Sequence, residues 1–203
     1  MNELVRTLRT HYEQAAAGRA TQPPEPRRVA ERAEFVAQLQ REGRTVLLEV
    51  GCGAGHDVAA FVAAGLYPVA IDLAHAHALL ACANGAGAAQ GMLPSLPVRP
   101  QSVDAVWCMS TLLHIPDADL GASLNALSAA VVPGGLMAVG LWGGHDRELL
   151  GEFDTIEPRR YFRLRTHEQV KSWLEPIGTI TQFVTWPDHR SDWVYQFAVV
   201  RLP

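Results

Sequence analysis

The fold of this chain is decided by the stretch Glu49-Val50-Gly51-Cys52-Gly53-Ala54-Gly55-His56-Asp57. The apolar run at residues 45–50 has the pattern of a buried strand, and residues 56–64 have helical spacing. Glycines permit a tight turn and let the backbone approach a ligand closely, while the start of the following helix offers free N–H groups. The stretch therefore predicts a loop that binds a nucleotide-like ligand.

A carboxylate follows at the distance that a ribose-binding site requires. The next predicted strand, at residues 68–72, ends at Asp72, about 20 residues after Gly51. A carboxylate at that place can accept hydrogen bonds from two ribose hydroxyls. A dinucleotide fingerprint would have its third glycine at position 56, but His56 stands there and Gly55 comes one residue earlier, so the spacing is GxGxG.

Beyond this unit, strand and helix patterns alternate along the chain. The alternation predicts a parallel sheet flanked by helices, and the last two strands predict an antiparallel hairpin. Asp117 is predicted to cap one helix, and Thr166 with Gln169 forms a capping box at the start of the last one. The other helices and strands are predicted at residues 75–82, 88–91, 103–108, 136–141, 179–186 and 193–202.

The residues before the first strand predict a helical cap. Leu4, Leu8 and Tyr12 recur every fourth residue, and a second helical pattern ends near Gly43. We therefore expect a single domain over residues 1–203. Its predicted parts are an N-terminal helical cap (1–44), a cofactor-binding core (45–142), a substrate-side loop (143–165), and the last helix with the terminal hairpin (166–203).

Composition and charge exclude several classes of protein. The chain has 203 residues, of which 48% are hydrophobic and 19% charged, which is typical of one soluble globular domain and not of a disordered or fibrous chain. Its 17 basic and 21 acidic residues leave a net charge of -4. This balance argues against a nucleic-acid partner and favours a small-molecule one.

The sequence also predicts where the protein works. The cysteines Cys52, Cys82 and Cys108 form no CxxC pair and indicate a reducing compartment. The charged N-terminal residues lack the apolar centre of a signal peptide, and polar residues with a Pro-Gly-Gly break divide the uncharged stretch at 120–144. We therefore expect a cytoplasmic protein without a membrane partner.

These motifs resemble those of the class I S-adenosylmethionine-dependent methyltransferases over residues 45–202. The glycine stretch is similar to the family's first motif, Asp72 to its ribose-binding acid, and residues 102–107 to its fourth strand. Residues 112–116 and 132–136 and the terminal hairpin resemble further parts of the family. The resemblance implies a Rossmann-like α/β fold with a seven-stranded, mostly parallel sheet, an antiparallel last strand and helices on both faces.

The resemblance also implies S-adenosylmethionine as the cofactor, with S-adenosylhomocysteine as its product. Glu49 enters the glycine turn as an acid between buried segments, so we expect it to face the cofactor's amino group. The family often has an acid after its third strand that contacts the adenine, and here Gln90 or the backbone of Met92 is expected to do so. The predicted cofactor-binding residues are Glu49, Gly51, Cys52, Gly53, Gly55, Asp72, Leu73, Gln90, Gly91, Met92, Cys108 and Met109.

Two residues are candidates for catalysis or acceptor contact. His114 follows the fourth strand at the edge where open α/β sheets bind ligands, and its imidazole can accept a proton or simply pack locally. Tyr12 lies on the N-terminal helix, which folds over the cofactor in similar proteins, and its alternative role is that of a buried aromatic. The basic run at residues 159–165 is either a clamp for an acidic substrate or a solvated, irregular connection with a short strand. His75 and His77 lack metal-ligand spacing, so we expect them at the surface and predict no metal.

The predicted function is transfer of a methyl group from S-adenosylmethionine to an oxygen or nitrogen of a small molecule. This reaction requires alignment and exclusion of water more than a base, because the sulfonium carries its own leaving group. One alternative is a nicotinamide-dependent oxidoreductase, which the GxGxG spacing and the terminal hairpin disfavour. Another is a cofactor-binding protein without turnover. The sequence does not identify the acceptor or the oligomeric state.

Overall fold

A computed structural model of the chain describes residues 3–189 and 191–203, so residues 1, 2 and 190 lie outside the description. The helices are α1 (Glu3–Ala20), α2 (Pro26–Arg41), α3 (His56–Ala63), α4 (His75–Ala83), α5 (Asp117–Ala130) and α6 (His167–Leu174). The strands are β1 (Val46–Val50), β2 (Tyr67–Asp72), β3 (Gly87–Gln90), β4 (Val103–Met109), β5 (Val131–Gly143), β6 (Arg147–Leu150), β7 (Tyr161–Leu164), β8 (Thr179–Pro187) and β9 (Val194–Arg201).

Seven of these strands form one twisted sheet in the order β3-β2-β1-β4-β5-β9-β8. The strands from β3 to β5 pair in parallel, whereas β9 is antiparallel to both of its neighbours, β5 and β8. The predicted mostly parallel, Rossmann-like sheet with an antiparallel last strand is therefore confirmed. Strands β6 and β7 form a separate two-stranded antiparallel sheet within the predicted substrate-side loop.

Helices cover both faces of the sheet because successive residues of its buried strands point to opposite faces. Leu48 belongs to the cluster that α5 and α6 complete with Leu124 and Val170. Its neighbour Leu47 belongs to the cluster that α2 and α3 complete with Leu39 and Phe61. The continuous apolar runs in the sequence thus become a sheet that is buried on both sides.

The topology creates a ligand-binding edge between β1 and β4. The chain crosses from β1 towards β2 and β3 on one side of the sheet and continues from β4 towards β5 on the other. Ligands bind at such a switch point, outside the carboxyl ends of parallel strands. The glycine loop after β1, Asp72 at the end of β2, and a short 3-10 helix (Leu112–His114) after β4 all meet at this edge.

The second helix is attached to the sheet through the buried carboxylate of Asp57. This carboxylate pairs with the guanidinium groups of Arg28 and Arg32, and it accepts a hydrogen bond of 2.8 Å from the indole N–H of Trp107. Burial alone would raise the pKa of Asp57, but Arg28, Trp107 and Arg32 outweigh burial, and the pKa is lowered. Helix α2 is therefore fixed to the start of α3 by a fully paired charge.

The prediction that Asp117 caps α5 is wrong. The N-cap residue is Pro116, which has no side-chain cap, and Asp117 is the first residue of the helix. Its carboxylate instead binds Arg163 at 2.9 Å and the buried Arg165 at 2.8 Å. Both arginines lie at the end of the β6–β7 sheet, where the sequence predicts a loop or an irregular connection with a short strand and gives no signal for these partners of Asp117.

Within residues 3–189 and 191–203, no helix combines the length and the apolar character that crossing a membrane requires.

Replacing Asp57 with asparagine should strongly destabilise the fold. The substitution removes the buried charge that pairs with two partly buried guanidinium groups, and breaking a buried ion pair from one side costs about 3–5 kcal/mol. Chemical denaturation of Asp57→Asn beside Glu157→Gln measures the effect, because Glu157 forms an exposed pair with Arg159 at 3.1 Å. The control should lose less than about 1 kcal/mol. Equal losses in both variants would show that the Asp57 cluster does not hold α2.

Candidate active site

The glycine loop between β1 and α3 presents bare backbone at Gly53. Its three glycines have φ angles of +78° at Gly51, +52° at Gly53 and +78° at Gly55. A Cβ on Gly51 would collide with the side chain of Thr111, and a Cβ on Gly55 would meet the side-chain nitrogen of Asn84 at 2.7 Å. No heavy atom of the described residues lies within 4 Å of a Cβ built on Gly53. A ligand can therefore approach the backbone closely at Gly53.

Asp72 joins this loop to the start of α4. The residue is 7% exposed, and its Oδ2 accepts a hydrogen bond of 2.9 Å from the backbone N–H of Gly53. Its Oδ1 accepts one of 2.9 Å from the N–H of Ala74 and one of 3.3 Å from Nδ1 of His77. A carboxylate oxygen can accept more than one hydrogen bond, so Asp72 remains able to bind hydroxyl groups from a ligand.

The segment after β3 lies beside Asp72. The N–H of Gly91 donates to the carbonyl of Asp72 at 2.8 Å, and the side-chain amide of Gln90 donates to the carbonyl of Leu73 at 2.9 Å. Leu73, Gln90 and Gly91 are thus brought to the same edge as the carboxylate, and Met92 follows them in the chain. Their contact with an adenine ring stays a prediction.

The side chains of Cys52, Cys108 and Met109 are buried. Burial raises the pKa of the Cys52 thiol, and it raises the pKa of the Cys108 thiol to about 12. The sulfur of Met109 accepts a hydrogen bond from the phenol of Tyr195 at 3.7 Å. These side chains therefore pack in the core. If the three residues contact the cofactor as predicted, they do so through their backbone atoms.

Glu49 is a buried carboxyl group with an unpartnered oxygen. It is 1% exposed at the end of β1, and its Oε2 has no hydrogen-bond partner among the described residues. Burial raises the pKa of Glu49 well above its usual value, the negative charges of Asp57 and Asp72 raise it further, and Arg28 opposes them. A cationic ligand group would supply the missing partner and reduce the penalty of ionising this carboxyl.

A second unpartnered polar atom belongs to His77. The expectation that His77 lies at the surface is wrong, because it is 2% exposed on the inner side of α4. Its Nδ1 donates to Asp72, its ring centre is 5.8 Å from that of Tyr12, and its Nε2 has no partner among the described residues. Two buried polar atoms, one on Glu49 and one on His77, are thus left for a ligand near Asp72.

Tyr12 and His114 are brought together by the packing of α1 over the edge of the sheet. The Nδ1 of His114 donates to the carbonyl of Tyr161 at 2.7 Å, so the other ring nitrogen, Nε2, accepts a hydrogen bond of 2.6 Å from the phenol of Tyr12. Burial lowers the pKa of His114 to about 3, although the bond to the Tyr161 carbonyl opposes this effect. His114 is therefore a neutral imidazole whose basic nitrogen is already hydrogen-bonded.

The basic run at residues 159–165 is largely neutralised within the chain. Arg160 pairs with the carboxylate of Asp154 and donates to the phenol oxygen of Tyr12 at 3.3 Å. Arg163 and Arg165 bind Asp117, and Arg165 also holds the 3-10 helix by donating to the carbonyl of Leu112 at 3.0 Å. These arginines organise the surroundings of Tyr12 and His114, which favours the structural reading of the run over the substrate clamp.

Sequence reasoning missed two residues at this edge. Ser110 follows β4 with a φ of +54°, and its N–H donates to the carbonyl of Gly140 at 2.6 Å. Non-glycine residues in this conformation are uncommon and cluster at functional sites, but no sequence pattern predicts them. Glu13 was also missed, although its neighbour Tyr12 was singled out, because its contacts lie about sixty residues away on α4.

Comparisons with known proteins give a partial family match and a shared fold. A sequence model of the family described as "Methyltransferase domain" matches residues 47–135. No curated protein matches the chain in sequence. The match covers β1 to the start of β5, which contains the glycine loop, Asp72 and the 3-10 helix. Residues 47–135 therefore match a methyltransferase domain in sequence, and the chain has the fold of the class I S-adenosylmethionine-dependent methyltransferases.

Solved structures with the same fold are distant in sequence. A 1,6-didemethyltoxoflavin-N1-methyltransferase from Burkholderia thailandensis, with that acceptor and S-adenosylhomocysteine bound, has 20% identity and a TM-score of 0.62 over 90% of this chain and 92% of its own. The magnesium protoporphyrin IX methyltransferase from Synechocystis, with S-adenosylhomocysteine bound, has 14% identity and a TM-score of 0.71 over 97% and 98%. A [4+2]-cyclase has 18% identity and a TM-score of 0.62 over 84% and 79%. The fold is thus shared with methyltransferases and with an enzyme named for another reaction.

Valine at position 53 should abolish cofactor binding without unfolding the protein. Gly65 is a matched control, since it also has a positive φ, of +80°, and no heavy atom within 4 Å of a built Cβ. Both Gly53→Val and Gly65→Val should lose roughly 1–3 kcal/mol of stability from backbone strain. Calorimetric titration with S-adenosylhomocysteine should detect binding only in Gly65→Val. Unchanged affinity in a folded Gly53→Val protein would contradict the assignment of the loop.

Replacing Glu49 with glutamine should stabilise the ligand-free protein and weaken cofactor binding. The pKa of Glu49 is higher in the folded protein than in the unfolded chain, so the unfolded chain releases its proton first. The free energy of unfolding of the wild-type protein therefore falls as the pH rises above about 4.5. Glutamine removes this penalty, so Glu49→Gln should gain about 1–2 kcal/mol at neutral pH. It should also lose roughly tenfold in affinity for S-adenosylhomocysteine, because its amide cannot pair with an ammonium group as a carboxylate does.

The control for Glu49→Gln is Glu34→Gln, which changes an exposed glutamate on α2. Denaturation curves and calorimetric titrations on the same samples give both quantities. An ammonium group next to Glu49 would lower its pKa, so binding to the wild-type protein should release a proton and strengthen with rising pH. If Glu49→Gln binds the ligand as tightly as the wild-type protein does, Glu49 does not contact the cofactor.

Proposed function

We propose that this protein transfers a methyl group from S-adenosylmethionine to an oxygen or nitrogen atom of a small molecule. The observation that carries the proposal is the Oε2 of Glu49 at the end of β1, which is buried and has no partner among the described residues, in the same site as Asp72 and the open backbone of Gly53. A ligand with an ammonium group and a ribose would satisfy Glu49 and Asp72 together. The fit of these residues to S-adenosylmethionine supports the assignment.

Each part of the site would have a distinct task. Glu49 would bind the amino group, Asp72 the ribose hydroxyls, and the backbone at residues 90–92 the adenine. The bound cofactor supplies a methyl group on a positively charged sulfur, which is transferred in line to a nucleophile. The chain itself must align the acceptor and exclude water, and α1 covers the edge where this happens.

The state of His114 limits the chemistry that the acceptor side can perform. A neutral imidazole with its basic nitrogen bound to the phenol of Tyr12 is a poor proton acceptor. We therefore propose that Tyr12 and His114 orient the acceptor, and that the acceptor's nucleophilic atom ionises easily or carries a free lone pair. Phenols, carboxylic acids and ring nitrogens meet this requirement. Two of the similar structures are named for small-molecule acceptors, which supports a small molecule here.

The alternatives are separated by two ligands and one turnover assay. We expect calorimetric titration to detect binding of S-adenosylhomocysteine and not of NADH. A donor labelled in its methyl group, incubated with a panel of small phenols, acids and nitrogen heterocycles, then tests transfer. Binding of NADH alone would replace the proposal with an oxidoreductase. Binding of S-adenosylhomocysteine without methyl transfer would favour a protein that uses the cofactor for another purpose. The [4+2]-cyclase with this fold is named for such a different reaction.

Removing the hydroxyl of Tyr12 should reduce turnover much more than cofactor affinity. Tyr12→Phe leaves the buried Nε2 of His114 without a donor, which costs about 1–3 kcal/mol and disturbs the acceptor side. Once an acceptor is known, kcat should fall roughly 10-fold to 100-fold while the Kd for S-adenosylhomocysteine changes less than about threefold. Tyr67→Phe, on a residue 69% exposed at the start of β2, is the control. Unchanged kcat in Tyr12→Phe would reduce the Tyr12–His114 pair to packing.

The proposal extends to the location and the partners of the protein. A small-molecule acceptor and a cytoplasmic site of action agree with the net charge of -4 and with the reduced state of the three cysteines. The lack of a nucleic-acid partner stays a prediction.

A further inference from the structure

Helix α4 has no cap of its own. Its N-cap residue, Ala74, has the extended backbone of a cap, with φ of -87° and ψ of 127°, but its methyl group cannot accept a hydrogen bond. The missing acceptor is supplied by Glu13 of α1. Its Oε1 accepts a hydrogen bond of 2.6 Å from the N–H of His75, and its Oε2 accepts one of 3.0 Å from the N–H of Ala76. The covering helix therefore caps a helix of the core.

The same end of α4 holds Asp72. The N–H of Ala74 donates to Asp72, and the next two N–H groups, of His75 and Ala76, donate to Glu13. Three consecutive amides are thus divided between a carboxylate at the end of β2 and a carboxylate on α1. A shift of the first turn of α4 would change the bonds to both carboxylates.

Glu13 directly follows two other attachments of α1. Tyr12 donates to His114 at 2.6 Å, and Nδ1 of His11 donates to the carbonyl of Pro158 at 2.9 Å. Three successive residues of α1 therefore bind three different segments: the connection before β7, the 3-10 helix, and the start of α4. Because Glu13 accepts from the amides that follow Ala74, which itself donates to Asp72, it links the cover to the predicted ribose site through hydrogen bonds to the backbone.

We propose that Glu13 is a positioning residue for cofactor binding: by capping α4 from α1, it fixes Asp72 in its binding geometry and makes closure of α1 part of the cofactor site. This inference rests on the proposed function, since Asp72 is taken to bind the ribose. By reciprocity, cofactor binding and the closed position of α1 strengthen each other to the same extent.

The test separates capping of α4 from closure of α1. Glu13→Ala removes the cap of α4 and the bond that holds α1 closed. Adding Ala74→Ser gives α4 a local cap, because a serine hydroxyl in this backbone conformation accepts from the second or third N–H of the helix. Glu13→Ala with Ala74→Ser therefore restores the cap without restoring the link to α1. Gln14→Ala, on an exposed neighbour of Glu13, is the control.

Hydrogen exchange of the ligand-free proteins measures the two effects separately. Glu13→Ala should raise amide exchange in both α1 and the first turn of α4. The double variant should recover slow exchange in α4 and the wild-type Tm, while α1 still exchanges faster than in the wild-type protein. Unchanged exchange of α1 in Glu13→Ala would overturn the proposal, because Glu13 would then not hold α1 closed.

Titration with S-adenosylhomocysteine measures the coupling. We expect Glu13→Ala to weaken binding roughly tenfold, the equivalent of one capping interaction, and the double variant to remain weakened although α4 is capped. Wild-type affinity in the double variant would overturn the proposal, since Glu13 would then be only a cap. If the wild-type protein itself binds no S-adenosylhomocysteine, the proposed function fails, and the exchange of α1 still decides whether Glu13 holds it.

Discussion

The carboxylate of Asp72 is the point on which the site depends. One of its oxygens holds the glycine loop through Gly53, and the other holds the start of α4 through Ala74 and His77. A glycine loop has little side-chain packing of its own, so it is held by backbone bonds: the one from Gly53 to Asp72 and one of 2.7 Å from the N–H of Gly51 to the carbonyl of Ile71. The remaining features of the site, including the cover formed by α1, are arranged around these segments.

Of two buried acidic residues near Asp72, one stabilises the fold and the other is left to bind a ligand. Asp57 is surrounded by Arg28, Arg32 and Trp107, and its paired charge fixes α2 to the sheet. Glu49 is equally buried, but in the part of the chain that the structure describes one of its oxygens has no partner. Fully paired buried charges hold a structure together, whereas an unpartnered one favours a ligand that completes it. The two residues therefore have opposite effects on the ligand-free fold.

Much of the fold could be predicted from the sequence because it depends on local patterns. Apolar runs between glycine turns gave the parallel strands, and the Thr166–Gln169 capping box is present as predicted. The GxGxG loop and Asp72 also met at one edge, because the carboxyl ends of parallel strands must do so. The contacts that were missed join residues far apart in the chain. Asp117 binds arginines beside the β6–β7 hairpin, whose pairing was not predicted, instead of capping α5, and Glu13 caps α4 from another helix. Side-chain spacing carries no signal for such partners.

The most direct test of the account is a crystal structure of the protein with S-adenosylhomocysteine. We expect the ribose hydroxyls to lie within hydrogen-bond distance of the Asp72 carboxylate and the ligand's amino group to reach Oε2 of Glu49, directly or through one water. We also expect the ligand to lie against the backbone of Gly53 and to be covered by α1. A ligand bound elsewhere, or one at this edge that leaves Glu49 without a partner, would contradict the central claim.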